Sequence, residues 1–243
     1  MERDWVKTDQ GGVNARILAK QTKADFRRIE AASVKLPARF ASPEGKRFFV
    51  RLFMTLQLNS HFISVIARTR LDHDDITQVE TALRDQLEAV NSRLNEAIDE
   101  AEALFKAQAI TEVASYDTVP LEVEVGVLSS NGRRYLEVLG KLDQLMPLLQ
   151  TLEIHELLSP AVVDKQRALI KRQVRDVANA ARRFATGLRR RMNLPPARQT
   201  TAAHPQGEPL AATTESPVDE PTETTVYRTM EGFAGDTAEE PAP

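Results

Sequence analysis

The sequence predicts a mainly α protein: a helical bundle with a long helical hairpin, one β-strand, and a disordered acidic C-terminal tail. Three observations predict it. Apolar residues recur at helical spacing through most of 43–193. Strict two-residue alternation is convincing in one segment, Leu121–Val127. Beyond Leu194 the periodicity stops, and residues 194–243 hold eight of the 13 prolines. The expected organisation is a flexible basic arm over 1–19, a single helical domain over 20–193 and the tail over 194–243.

Lys20–Ser33 is expected to form a short helix with Phe26 and Ile29 inward. Leu36–Pro43 contains Pro37 and Pro43, which should break it. Ser42 then stands as an N-cap, with Pro43 at the first helical position and Glu44 in the first turn. From there to about Leu71 runs an apolar helix (Phe48, Phe49, Leu52, Phe53, Leu56, Phe62, Ile63, Ile66) expected to be the central core helix. His61 within it is read as a packed or half-exposed residue, not a ligand. Asp72-His73-Asp74-Asp75 is read as a turn and cap, because carboxylates belong at a helix start.

The next helix should run from about Ile76 to Ala109. Ile76, Leu83, Val90, Ala97 and Leu104 repeat every seven residues, with Leu87, Leu94 and Ala101 in the second seam position. The pattern suits a helix packed within its own bundle and equally a coiled-coil hairpin or dimer seam. In the strand, Leu121, Val123, Val125 and Val127 share one face, and Glu122, Glu124 and Gly126 the other. A lone strand cannot satisfy its own backbone. With no second convincing strand, pairing of 120–127 with its twin in a homodimer is the expected solution.

Ser129-Ser130-Asn131-Gly132 starts a helix whose apolar set is Leu136, Leu139, Leu142, Leu145, Met146, Leu149 and Leu152, and Pro147 should kink or break it. The last helix, 159–193, is capped by Ser159-Pro160. Val163, Ile170, Val174, Val177, Ala181, Phe184, Leu188 and Met192 fall in a narrow arc at about 100° per residue. Lys171, Arg175, Arg182 and Arg189 lie on a second line; Lys165, Arg172, Arg183 and Arg190 lie on a third. Only Asp164 and Asp176 dilute that charge.

A net charge of -3 conceals this polarity. The tail after Met192 holds Arg198, Arg228 and nine acids, which leaves 30 basic and 26 acidic residues in 1–192: a body of +4 and a tail of -7. Such asymmetry points to nucleic acid or to an autoinhibitory acidic tail. The absence of cysteine excludes disulfides, thiolate catalysis and Cys-ligated zinc. No run approaches 18 uninterrupted apolar residues and the N-terminus has no signal core, so a soluble cytoplasmic protein without membrane attachment is expected. There is no Gly-rich phosphate loop, nucleophile elbow or His-Glu-x-x-His pattern. Glu122 and Glu124 on one strand face suit acid–base chemistry less than a solvated surface. Neither an enzyme, a cofactor nor a small-molecule substrate is expected.

Strand, helix and helix in a dimer is the layout of ribbon-helix-helix DNA-binding proteins, in which paired strands enter the major groove and helix N-termini hold phosphates. Ser129, Ser130, Arg133 and Arg134 would form that clamp on double-stranded DNA. The glutamates on the strand resist, because acids repel the phosphates that dominate affinity. More of the binding then falls to Lys171, Arg172, Arg175, Arg182, Arg183, Arg189 and Arg190, or to the arm with Arg16, Lys20, Lys23, Arg27 and Arg28.

Pro120-Leu-Glu-Val-Glu-Val, Arg133-Arg134-Tyr135-Leu136, Leu142-Asp143-x-Leu-Met-Pro-Leu-Leu149 and Gly187-Leu-Arg-Arg-Arg-Met192 together resemble the AcaB-like family of conjugative plasmids and integrating conjugative elements. The resemblance covers roughly 45–193. It implies a bacterial, DNA-associated transcriptional regulator of conjugative transfer genes, related to ribbon-helix-helix proteins, with Leu121–Val127 and Ser129–Arg134 as the DNA-facing unit. It supplies no catalytic residues. The alternative from another class is a non-enzymatic helical scaffold or accessory protein of the conjugation machinery, with the heptad helix as partner surface.

Overall fold

A computed structural model describes residues 12–24 and 31–193. Expectations for Arg27, Arg28 and the tail 194–243 lie outside the described residues. The element order is α1 (Val13–Ala24), β1 (Val34–Phe40), α2 (Pro43–Phe48), α3 (Met54–His61), α4 (His73–Ala107), β2 (Leu121–Val127), α5 (Ser130–Ile154) and α6 (Pro160–Met192). The mainly α bundle is therefore present.

The sheet corrects the expected dimer pairing. β2 pairs antiparallel with β1 of the same chain, in a register that sets Phe40 against Leu121, Arg39 against Glu122, Pro37 against Glu124 and Val34 against Val127. The alternation Val34, Leu36, Ala38, Phe40 was present in the sequence, but Pro37 read as a breaker. In a two-stranded ribbon every strand is an edge strand, where a missing N–H is tolerated. The inner face, with Phe40, Leu121 and Val125 buried, packs on α5. Gln57 of α3, itself buried, fastens the far end: its Nε2 donates to the Gly126 carbonyl at 3.0 Å, and its Oε1 accepts from Leu128 N at 3.2 Å.

α1 replaces part of the expected arm and lies earlier than the expected 20–33 helix. Ile17 is buried in the core, and Asn14 Nδ2 donates to the Val119 carbonyl at 2.9 Å. The apolar run from Pro43 continues through π-helical turns at Phe49–Phe53 and Phe62–Ile66 and a final turn at Ala67–Thr69. The run is 27 residues long and contains an 18-residue stretch of mean hydropathy 1.2, which reaches the length and apolarity of a membrane-spanning helix. Phe49, Phe53, Leu56 and Ile63 are nevertheless buried within the bundle, as are the polar Gln57 and Ser60, the pattern of a core helix.

The hub of the molecule is α5, which touches α2, α3, α4, α6 and both strands. Buried leucines and valines surround it on most sides (Leu136, Val138, Leu139, Leu142, Leu145, Leu148). The same packing carries the helix without a break through Pro147, overriding the expected interruption at the cost of one intrahelical bond. Along α4 the seam is real but drifts. Ile76, Leu83, Leu87, Val90 and Leu94 are buried; further on the buried residues are Ile98, Ala101 and Phe105, while Ala97 is half-buried and Leu104 exposed. A straight helix slips about 20° per heptad against a strict seven-residue repeat. This seam packs inside its own bundle, chiefly on α5.

Two tyrosines, Tyr135 buried and Tyr116 half-buried, tie the fold to alkaline pH. Tyr135 donates its hydroxyl to the Val174 carbonyl of α6 at 3.0 Å, and burial pushes its phenol far above the ordinary 10.0. Tyr116 is pushed up to about 12, first by desolvation, then by Glu44 and Asp143 against the opposing Arg167. Both folded-state values are raised, so the stability they contribute is complete below pH 10; Tyr116's share is lost as pH rises from 10 through about 12, and Tyr135's goes on falling above that. Tyr135→Phe should lose about 1 kcal/mol near neutrality and flatten the alkaline fall. Subtracting the variant's absorbance titration from that of the parent checks it: a Tyr135 phenolate forming at ordinary pH while helicity persists would refute the linkage.

Candidate nucleic-acid interface

The expected sites fall into two groups that the fold separates. At the start of α5, the Ser129 hydroxyl accepts from Gly132 N at 3.1 Å, so it is engaged in capping its own helix; Ser130 is exposed. Arg133 is exposed and Arg134 half-buried, and both line a cleft of about 190 Å³ between α4 and α5 with Glu88, Asn91 and Glu137. Arg134 Nη1 stands 3.8 Å from Glu88 Oε2. Lys141 bridges the same wall, 2.7 Å from Asn91 Oδ1 and 2.9 Å from Glu137 Oε1. No residue of α6 lines this cleft. Its carboxylates weaken the case for a phosphate clamp here.

The ribbon's outer face is compensated in part. Arg39 lies opposite Glu122, with its Nε 3.6 Å from Glu122 Oε1, and Lys35 lies opposite Gly126. Glu122 is thus answered across the ladder, a cross-strand pairing that needs no DNA, while Glu124 faces Pro37. The cations on β1 were legible in sequence but unassigned while that segment read as a loop.

α6 differs. Its apolar arc, Val163, Ile170, Val174, Val177, Ala181 and Leu188, is buried against α3, α4 and α5, with Phe184 and Met192 half-buried. Helical geometry then forces both basic lines outward. Lys165, Arg172, Arg175, Arg182, Arg183 and Arg190 are exposed and Lys171 half-exposed, spread over about 38 Å from Lys165 to Arg190. Ser159 begins the helix without a side-chain cap bond; Val162 N and Val163 N bond instead to its backbone carbonyl.

Several cations are committed within the fold. Arg167 donates to Gln150 Oε1 of α5 at 2.8 Å and lies 3.9 Å from Glu153 Oε2. The Arg189 guanidinium stacks 4.2 Å from the Phe62 ring centroid and reaches Asn59 Oδ1 at 3.5 Å, which makes it a clamp between α6 and the core run. Arg172 pairs with Asp176 at 3.8 Å. Arg191, which the charge lines did not single out, pairs with Asp75 at the head of α4. Arg175, Arg183 and Arg190 are exposed and make no ion pair among the described residues.

No protein-family model matches the chain, and no curated protein matches it significantly. Among solved structures, a selenomethionine-containing AcaB from uropathogenic E. coli superposes with a TM-score of 0.62 at 22% sequence identity, covering 67% of this chain and 83% of that one. The chain shares the fold of that AcaB.

Proposed function

We propose that this protein is a DNA-binding transcriptional regulator of conjugative transfer genes on a mobile element, acting in the cytoplasm by binding and not by catalysis. The observation that carries it is the exposed basic face of α6, fixed in place by burial of the opposite arc. The sequence resemblance to the AcaB-like family and the shared fold support this reading of the genetic setting. Protein-DNA affinity of this kind comes from neutralised phosphates and displaced counterions. A homodimer built on the sheet has only the ribbon's outer edges to use, because the facing edges of β1 and β2 are bonded to each other.

The test is a mobility-shift titration on DNA flanking the protein's own gene, repeated at rising salt. If five or six phosphates are neutralised, the logarithm of the binding constant should fall with log salt at a slope of about -5. Binding insensitive to salt, or none to any such DNA, would refute the reading. The scaffold alternative draws on the exposed acids of α4, among them Asp85, Glu96 and Glu100. It would prevail if neutralising α6 left DNA binding intact but abolished assembly with a protein partner.

A further inference from the structure

We infer that α6 grips the sugar-phosphate backbone of duplex DNA without reading bases, supplying affinity and salt dependence but not sequence choice. The inference rests on the DNA-binding reading and narrows it. Four features of the helix carry it.

The first is chemistry. The only aromatic residue of α6, Phe184, packs into the core. Proteins that hold single strands stack bases on exposed aromatic rings, and this face has none. The second is the missing amides: Gln166, Gln173 and Asn179 are all partly buried, so no fully exposed Asn or Gln on α6 is placed to pair with adenine. The third is extent. A cation row of about 38 Å is roughly three times the width of a major groove, so its two ends meet backbone whatever its centre meets. The fourth is rigidity. Arg189 on Phe62 and Arg191 on Asp75 pin the C-terminal turns to the core run and to α4, while Tyr135 holds the middle through the Val174 carbonyl. The exposed cations therefore project from a fixed rod.

A phosphate contact needs only a positive charge, whereas recognition of guanine by arginine needs the planar two-pronged guanidinium. This difference supplies the test. Fluorescence polarisation on the full chain would compare a duplex from its genetic neighbourhood, a scrambled duplex of equal length and a single strand with the same number of phosphates. Two triple variants would be used, Arg175→Ala/Arg183→Ala/Arg190→Ala and Arg175→Lys/Arg183→Lys/Arg190→Lys, with helicity checked by circular dichroism. All three positions are exposed, so both variants should fold.

The alanine variant should lose at least tenfold in affinity for both duplexes alike, leave their ratio unchanged, and lower the salt slope by about 3. The lysine variant should stay within about threefold of the parent, as point charges suffice. The single strand should bind the parent more weakly than either duplex. An alanine variant that weakens only the neighbourhood duplex, a lysine variant as weak as the alanine one, or a single strand bound as tightly as duplex would overturn the inference. A parent protein that binds none of the three probes would instead sink the DNA-binding reading itself.

Discussion

Asp143→Ala should lower the unfolding free energy by about 3 kcal/mol, measured by urea denaturation, because one carboxylate organises the corner between β1 and α2. Its Oδ2 accepts from Ala41 N at 2.8 Å, and its Oδ1 accepts from Ser42 N at 2.7 Å and Ser42 Oγ at 2.6 Å. The same Ser42 hydroxyl accepts from Gly45 N at 2.9 Å, so the cap of α2 and the anchor on α5 are one chain of bonds. Truncation leaves three donors competing for water in a partly buried site. Asp143→Asn should recover little, because its amide presents donors to donors on one side.

Gly45 completes the argument. A Cβ there would stand 2.2 Å from Asp143 Oδ1, so Gly45→Ala must displace the carboxylate from its three partners. The two substitutions should therefore be strongly non-additive, with Gly45→Ala costing far less once residue 143 is alanine. Full additivity would show that the glycine is required for some other reason.

Phe49→Ala is expected to cost about 4 kcal/mol, the larger of the two effects, with Phe49→Leu at roughly 1–2. Phe49 is wholly buried between Phe40 at the end of β1, 4.9 Å between ring centroids, and Phe53 one turn on, at 5.5 Å. It is the apolar joint between sheet and bundle, lying beside the polar corner held by Asp143. Loss of the ring opens a cavity that the helix on one side and the strand on the other cannot both close. Thermal and urea unfolding of the two variants would check it; a cost below about 1.5 kcal/mol for alanine would mean the ribbon does not depend on this stack.

Both effects lie where the sequence was hardest to read. Ser42-Pro43-Glu44 announced a helix start from local rules alone, but nothing local shows that Asp143, about a hundred residues away, accepts from the same cap. The β1 strand is a related case. Its alternation is as regular as that of β2, but Pro37 outweighed it as a signal, because whether a missing N–H matters depends on which edge faces a partner. The heptad of α4 was legible as a stripe, whereas its shift from Ala97 to Ile98 and from Leu104 to Phe105 follows from which turns α5 covers. Pro147 fell the same way, with buried leucines holding a helix that local chemistry would have ended. At the candidate interface the two cation lines of α6 were correct in register. The fold then withdrew Arg189 to Phe62 and placed Arg133 and Arg134 among acids.

By itself the sequence determined the helical class, the starts of α2, α5 and α6, the extent of β2 and the separation of apolar and basic faces on α6. These are local properties, set by spacing, capping chemistry and charge within a few turns. Only the tertiary structure decided what β2 pairs with, which helix forms the hub, and which arginines remain available to a partner. Those outcomes depend on contacts between residues far apart in the chain, where burial and pairing energies outweigh local preference and leave no periodic trace in the sequence.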